Sequence, residues 1–430
     1  MGAALTGDAV RRRAELRAKA SGLTAELAAW TELSQAGGRL EKHHTQVAAI
    51  VTALDAALAE LGPRLEADDV EATWTGTERM LIRIHEVLDF FRAKLTLRMV
   101  DAFADYLAVA DEFVWECYRP ARDRAAGAVP KEPPLTFLGP ATTPFTIPRG
   151  VSYARELGGA ISSGTLRKVV DRLPVPVVGI PWFQLRHLPD ALVLAHETGH
   201  LVETDFQLTP TLRTLLASAV PGERLATWRG RLGEAFADVY GALAGGPAFG
   251  GALADFIATT PASGSKLYPP PAIRLHLVAE ALRASGLPAD ADALAARAET
   301  DAADLRADAG AVARAFVRGP YPQFGGVALD EVLHFRYRRD NADAVATALL
   351  RGRVYKGADD VRTLIAAAGL AFARNPLDYE ATTVADKILA AARSRITSGV
   401  RAATGPREAA DAHSTRDRDA GKAVFSLLAE

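Results

Sequence analysis

His196-Glu197-Thr198-Gly199-His200, set in the apolar run Leu188-Pro-Asp-Ala-Leu-Val-Leu-Ala-His-Glu-Thr-Gly-His-Leu-Val-Glu203, constrains this chain more than any other stretch. Two histidines four apart on a helix point to one face, so both imidazoles can reach one metal ion. Glu197 follows His196 by roughly 100° around the helix, which puts it beside such an ion, where it can take a proton from water. Pro189 or Asp190 can open the helix, as proline suits a first turn and aspartate caps free N–H groups. Ala191 to Ala195 is apolar on every side. The helix is therefore expected in the interior, which disfavours two histidines standing on a solvated face.

A site of this kind needs a third ligand. Arg231-Leu-Gly-Glu234-Ala-Phe-Ala-Asp238-Val-Tyr-Gly241 supplies Glu234 and Asp238, four apart on one helical face, with Leu232, Phe236, Val239 and Leu243 on another. Two carboxylates projecting together repel unless a cation or donor compensates. Zn2+ bound by Glu234, with Asp238 accepting the spare N–H of a ligating histidine, would do so. The competing reading is a solvated acidic pair.

His-Glu-x-x-His followed by Glu-x-x-Ala-Asp resembles the gluzincin class of zinc metallopeptidases, which includes the thermolysin-like enzymes and the CaaX-type prenyl endopeptidases. Gly199 and the Glu234-x-x-Ala237-Asp238 wording are closer to the latter. The resemblance implies His196, His200 and Glu234 as metal ligands, Glu197 as general base and Asp238 as the partner of a ligating histidine. Tyr268-Pro269-Pro270-Pro271-Ala272-Ile273-Arg274 is similar to the His-Pro-x-x-x-x-Arg element of that group, with Tyr268 in place of histidine. The likeness covers about 50 to 90 residues. The prenyl endopeptidases are membrane-embedded, and this chain is expected to have no spanning helix, so their substrates do not carry over.

The helix after this element supports Arg274 independently. Ile273, Leu275, Leu277, Val278, Ala281 and Leu282 form a broad apolar arc with Arg274 in its middle, while His276, Glu280 and Arg283 take the opposite side. An arginine aimed inward needs a partner. A carboxylate in an internal ion pair and the oxyanion of a reaction are both open. Tyr268 and Arg274 are the candidate catalytic donors, and His276 is read as solvated.

The remaining chain is mostly helical, so the fold class is mainly α with a small β-sheet (α+β). Residues 1–125 read as a helical bundle, from apolar stripes at Leu23, Leu27, Trp30 and Leu33, at Val47, Ile50, Val51, Leu54, Leu58 and Leu61, and at Ile84, Leu88, Phe91 and Leu95, with turns at Gly37-Gly38 and Gly62-Pro63. Sensing, dimerisation and bracing of the next domain are all open to it. Residues 126–290 form the zincin-like core. There Leu135–Leu138 and Pro174–Trp182 read as strands, the second as an edge strand able to hold an extended peptide or to be purely structural. Helices are expected near 208–219, 222–244, 252–259 and 272–285, with a glycine-rich turn at Gly245-Gly246-Pro247. A helical subdomain follows at 291–400, then a polar tail at 401–430 with an apolar patch at Val424, Phe425, Leu427 and Leu428.

Composition narrows the partners. A net charge of −2 gives no reason for nucleic acid or an anionic membrane surface. The lone Cys117 excludes an intrachain disulfide and fits a reducing compartment. The N-terminus has no apolar run after Arg11-Arg12-Arg13, so a cytoplasmic location is expected. His43, His44 and His85 are read as lone surface or partly buried histidines, His187, His334 and His413 lack ligand spacing, and Gly245–Gly251 lacks the ending of a phosphate loop.

The expectation is thus a zinc-dependent peptidase acting on a protein or peptide substrate. The N-terminal bundle is open to a regulatory protein partner, in which case the protease is latent until engaged. The alternative from another class is a non-catalytic helical scaffold with structural zinc. Glu197 argues against it, because a structural site needs no base beside the metal.

Overall fold

The computed structural model describes residues 7–66, 70–125, 132–148, 175–259, 267–298, 302–355, 357, 359–396, 418–419 and 421–422. The apolar patch expected at Val424–Leu428 and most of the 401–430 tail lie outside them, as does His413.

Four long helices open the chain: α1 (Gly7–Leu33), α2 (His44–Glu66), α3 (Val70–Thr96) and α4 (Asp101–Arg124). The apolar stripes of the first three close on each other, burying Leu23, Leu27, Leu54, Leu61, Ile84 and Phe91 in one core. The expected turn at Gly37-Gly38 is present, with Gly37 at φ 79°. The turn expected at Gly62-Pro63 is not. α2 runs through Pro63 to Glu66, because a proline so near a helix end forfeits little of the backbone ladder. By length and hydropathy alone Glu41–Glu66 could cross a membrane. Its apolar positions instead fill the three-helix core.

α4 departs from the sequence expectation. Leu107, Val109, Ala110, Phe113, Val114 and Tyr118 belong to a second, larger core that contains the motif helix, so the bundle proper ends near residue 99. α4 is apolar over a wide arc and fits inside the body better than on its surface.

A small sheet stands between the two cores. β1 (Leu135–Gly139), β2 (Phe145–Ile147) and β3 (Val177–Pro181) are ordered β1-β3-β2, with β1 parallel and β2 antiparallel to β3. Alternation along the strands serves both cores: Leu135, Phe137 and Val177 face the bundle, and Leu138, Val178 and Ile180 face the body. β3 is therefore the central strand, which corrects the edge assignment and removes it as a site for strand addition. β2, missed in the proline-rich sequence, is an edge among the described residues and runs beside the motif helix.

The body is helical. A 3-10 segment, Leu188–Val193, precedes the motif helix, Leu194–Asp205, so the α-helical part starts later than Pro189. Thr209–Ala219 follows. The single helix expected over 222–244 is two: Gly222–Gly230, then a break at Arg231, then the acidic helix Leu232–Thr259. The acidic helix kinks at Gly246 (φ 64°), before Pro247. That kink frees carbonyls, and the buried Arg362 guanidinium takes those of Leu243 and Ala244 together with that of Leu333. The arginine helix, Pro271–Ala284, lies among the acidic helix, Pro288–Ala295 and Ala303–Arg318. A two-stranded ladder, Pro320–Tyr321 with Val327–Ala328, and helices Arg339–Leu350, Val361–Arg374 and Val384–Arg395 complete the body.

Candidate metal centre

The motif helix packs lengthwise on the acidic helix, and a glycine sets how close they come. A Cβ on Gly199 would lie 2.9 Å from Ala237 Cα and 3.0 Å from Tyr240 Cβ. α4 braces both helices, since Tyr118 donates to Asp205 Oδ2 at 2.5 Å and Tyr240 donates to the Cys117 carbonyl at 2.7 Å. These two tyrosines carried no sequence signal beyond their place among apolar residues.

The approach brings together three side chains distant in sequence. His196 Nε2 and His200 Nε2 are 3.2 Å apart. Glu234 Oε2 is 3.2 Å from His196 Nε2, and Oε1 is 3.7 Å from His200 Nε2. His196, His200 and Glu234 could hold a metal ion. In a tetrahedral zinc site, with bonds of about 2.0–2.1 Å, ligand atoms sit about 3.3 Å from each other, close to the separation of the two ring nitrogens and of His196 Nε2 from Glu234 Oε2, while the longer contact to His200 runs from the other carboxylate oxygen. The donor chemistry fits too. His196 donates through Nδ1 to Asp238 Oδ1 at 2.9 Å, which turns its Nε2 toward His200 and Glu234. Glu234 Oε2 is buried with no hydrogen-bond donor. Two ring nitrogens and a carboxylate that converge at a partly buried spot suit a cation. Three protein donors leave a fourth corner open.

The surrounding charges are consistent with this. Burial raises the Glu197 carboxyl to about 7, and the Glu234 charge adds to the effect. Burial pushes Glu234 upward as well, but the adjacent His196 and His200 imidazoles hold it below the ordinary glutamate range. His200 is depressed to about 4 by burial and by His196. Burial would also lift Asp238, yet the Arg274 guanidinium keeps it at about 2. Glu234 lies in the first turn of its helix, where the backbone dipole favours an anion.

Arg274 reaches Asp238 with two bonds, Nε to Oδ2 at 2.8 Å and Nη2 to Oδ1 at 2.7 Å. Of the two partners open to it, the structure shows the carboxylate: Arg274 is the ion-pair partner of Asp238, because the inward arc of its helix meets that buried side chain. Tyr268 is 40% exposed, with the Arg274 guanidinium 5.3 Å from its ring centroid. Burial raises its phenol to about 12, and the Glu234 and Glu197 charges contribute. It stands at the rim of the site. His276, read as solvated, is buried, because neighbours cover both faces of the arginine helix.

No protein-family model, curated protein or solved structure matches the chain.

Proposed function

We propose that the chain is a zinc-dependent peptidase that hydrolyses amide bonds of protein or peptide substrates. One observation carries the reading: the His196, His200 and Glu234 donor atoms converge with the buried Glu197 acid beside them. Zinc held by those three residues supplies a Lewis acid and water acidified to a pKa of about 7.

The chain's own groups do the rest. Glu197 takes a proton as water oxygen bonds to the amide carbon, and hands it to the leaving nitrogen as the C–N bond breaks. Tyr268, neutral at physiological pH, donates from the rim to the oxygen that gains charge. Asp238, anchored by Arg274, keeps Nδ1 of His196 protonated and Nε2 free. β2, an edge strand beside the motif helix, supports an extended peptide next to these groups.

Zinc content and cleavage of a peptide library, measured on wild type, Glu197→Gln and His196→Ala, test the proposal. Glu197→Gln is expected to keep the metal and lose at least about 100-fold in kcat/KM, and His196→Ala to lose the metal. Equal activity in the Glu197→Gln variant rejects the mechanism. Metal retained in His196→Ala rejects the ligand set. Full zinc occupancy with no cleavage of any peptide favours the structural-zinc scaffold.

A further inference from the structure

The two imidazoles are supported unequally. His196 has Asp238 on its outer nitrogen. Among the described residues, no side chain bonds His200 Nδ1 directly; the contacts of His200 run through Nε2 to His196 and Glu234. A ligating histidine ordinarily donates its second N–H to a carboxylate, carbonyl or water, which fixes tautomer and ring orientation.

Glu203 is placed for this role. It lies three residues after His200, on the same side of the motif helix. Thr209 Oγ1 donates to Glu203 Oε1 at 2.9 Å, and no hydrogen bond or ion pair among the described residues reaches Oε2. Gly233, on the acidic helix, faces this oxygen. A Cβ there would sit 3.3 Å from Glu203 Oε2 and 4.0 Å from His200 Nδ1. Carboxylate and ring thus flank one small gap kept open by the missing side chain. Burial holds the Glu203 carboxyl above its ordinary value, and the Glu234 charge acts the same way, while Thr209 and the charge of Arg213 oppose them. A half-buried acid in this setting gains from a further donor.

We propose that Glu203 is a positioning residue for the metal centre, accepting the Nδ1–H of His200 through one water in the gap beside Gly233 and so aiming Nε2 at the metal. The inference rests on the metal-centre part of the proposed function and not on peptidase activity.

The test uses the full chain with Glu203→Leu, Glu203→Gln and Gly233→Ala. Two quantities are read: the zinc dissociation constant by chelator competition, and the 15N shifts of the His200 ring in the metal-free protein. Glu203→Leu should weaken zinc binding about 10- to 100-fold and move the Nδ1 resonance. Glu203→Gln, which keeps an acceptor oxygen, should restore most of both. Gly233→Ala, which narrows the gap, should resemble the leucine variant. If Glu203→Leu fails to fold, the glutamine and alanine variants decide by the same readouts. An unchanged Nδ1 shift with zinc affinity within twofold of wild type overturns the inference. So does equal weakening by leucine and glutamine with the shift unmoved, which marks a role through Thr209 or Arg213 alone. If wild type binds no zinc, the metal-centre reading fails and the positioning role falls with it, whereas zinc bound by wild type with affinity and ring shifts unmoved in the variants overturns the inference alone. Zinc binding without peptide cleavage removes the peptidase reading and leaves Glu203 in place.

Discussion

At Gly199 the absence of one carbon decides whether the ligand set can exist. The sequence motif allows any residue between Thr198 and His200, but contacts of 2.9 and 3.0 Å to Ala237 and Tyr240 admit no side chain. Gly199→Ala must push the motif helix off the acidic helix, with an overpacking cost of about 1–3 kcal/mol. Because Glu234 rides on the displaced partner, zinc affinity should fall together with stability. Urea denaturation and chelator competition on the same variant check this; a stability loss with unaltered affinity would show that the helix spacing does not govern the ligands. Arg274 illustrates the limit of local reading at this scale. Its helix face correctly pointed it inward, but only the position of Asp238 on another helix distinguished an ion pair from an oxyanion donor.

Among the elements, the Val361–Arg374 helix is held by carboxylates from two places. Asp360 caps it locally through Thr363 N, while Glu116 on α4 accepts from Val361 N at 3.2 Å and Arg362 N at 2.8 Å. Burial raises Glu116 to about 7, with the Asp360 charge adding to it, against an ordinary value of 4.5. The folded state therefore holds this proton more tightly than the unfolded chain does. The resulting stability is complete below pH 4.5 and is lost as pH rises to 7. Glu116→Gln should remove that dependence, so the wild-type-minus-variant difference in unfolding free energy should fall by about 2–3 kcal/mol across this window. Denaturation midpoints at several pH values measure it, and parallel profiles for the two proteins would refute it. The strands carry a related lesson. Both apolar runs that read as strands are strands, yet period-two patterning does not tell a central strand from an edge. β3 proved central because short β2, obscured by prolines, pairs with it.

Across the whole molecule, a polar knot joins the bundle to the body. Arg98, in the short turn between α3 and α4, binds Asp111 on α4 through Nη2 at 2.7 Å and also bonds His43 Nε2 and the Thr136 carbonyl of β1. Asp111 in turn accepts from Thr136 N and Oγ1. Asp111→Ala strips a buried guanidinium of its anion, at about 3–5 kcal/mol. The bundle core of α1–α3 should then open before the body. Hydrogen exchange should rise over residues 7–96 while residues 194–245 stay protected; uniform acceleration across both would show that the two cores unfold as one.

By itself the sequence determined what is local: helices with their inward faces, the pairing of His196 with His200 and of Glu234 with Asp238, and a proline-rich segment where helix stops. These follow from 3.6- and 2-residue periods, which depend on neighbours a few positions away. Glu203 belonged to the same local pattern, three residues beyond His200, yet its environment could not be read without Gly233 opposite it. Only the tertiary structure decided which faces meet: that Glu234 reaches both imidazoles, that Arg274 ends on Asp238, that α4 joins the body and that β3 is flanked on both sides. The reason is that such encounters are set by mutual burial of segments dozens of residues apart, and one period along a chain carries no record of the surface it will cover.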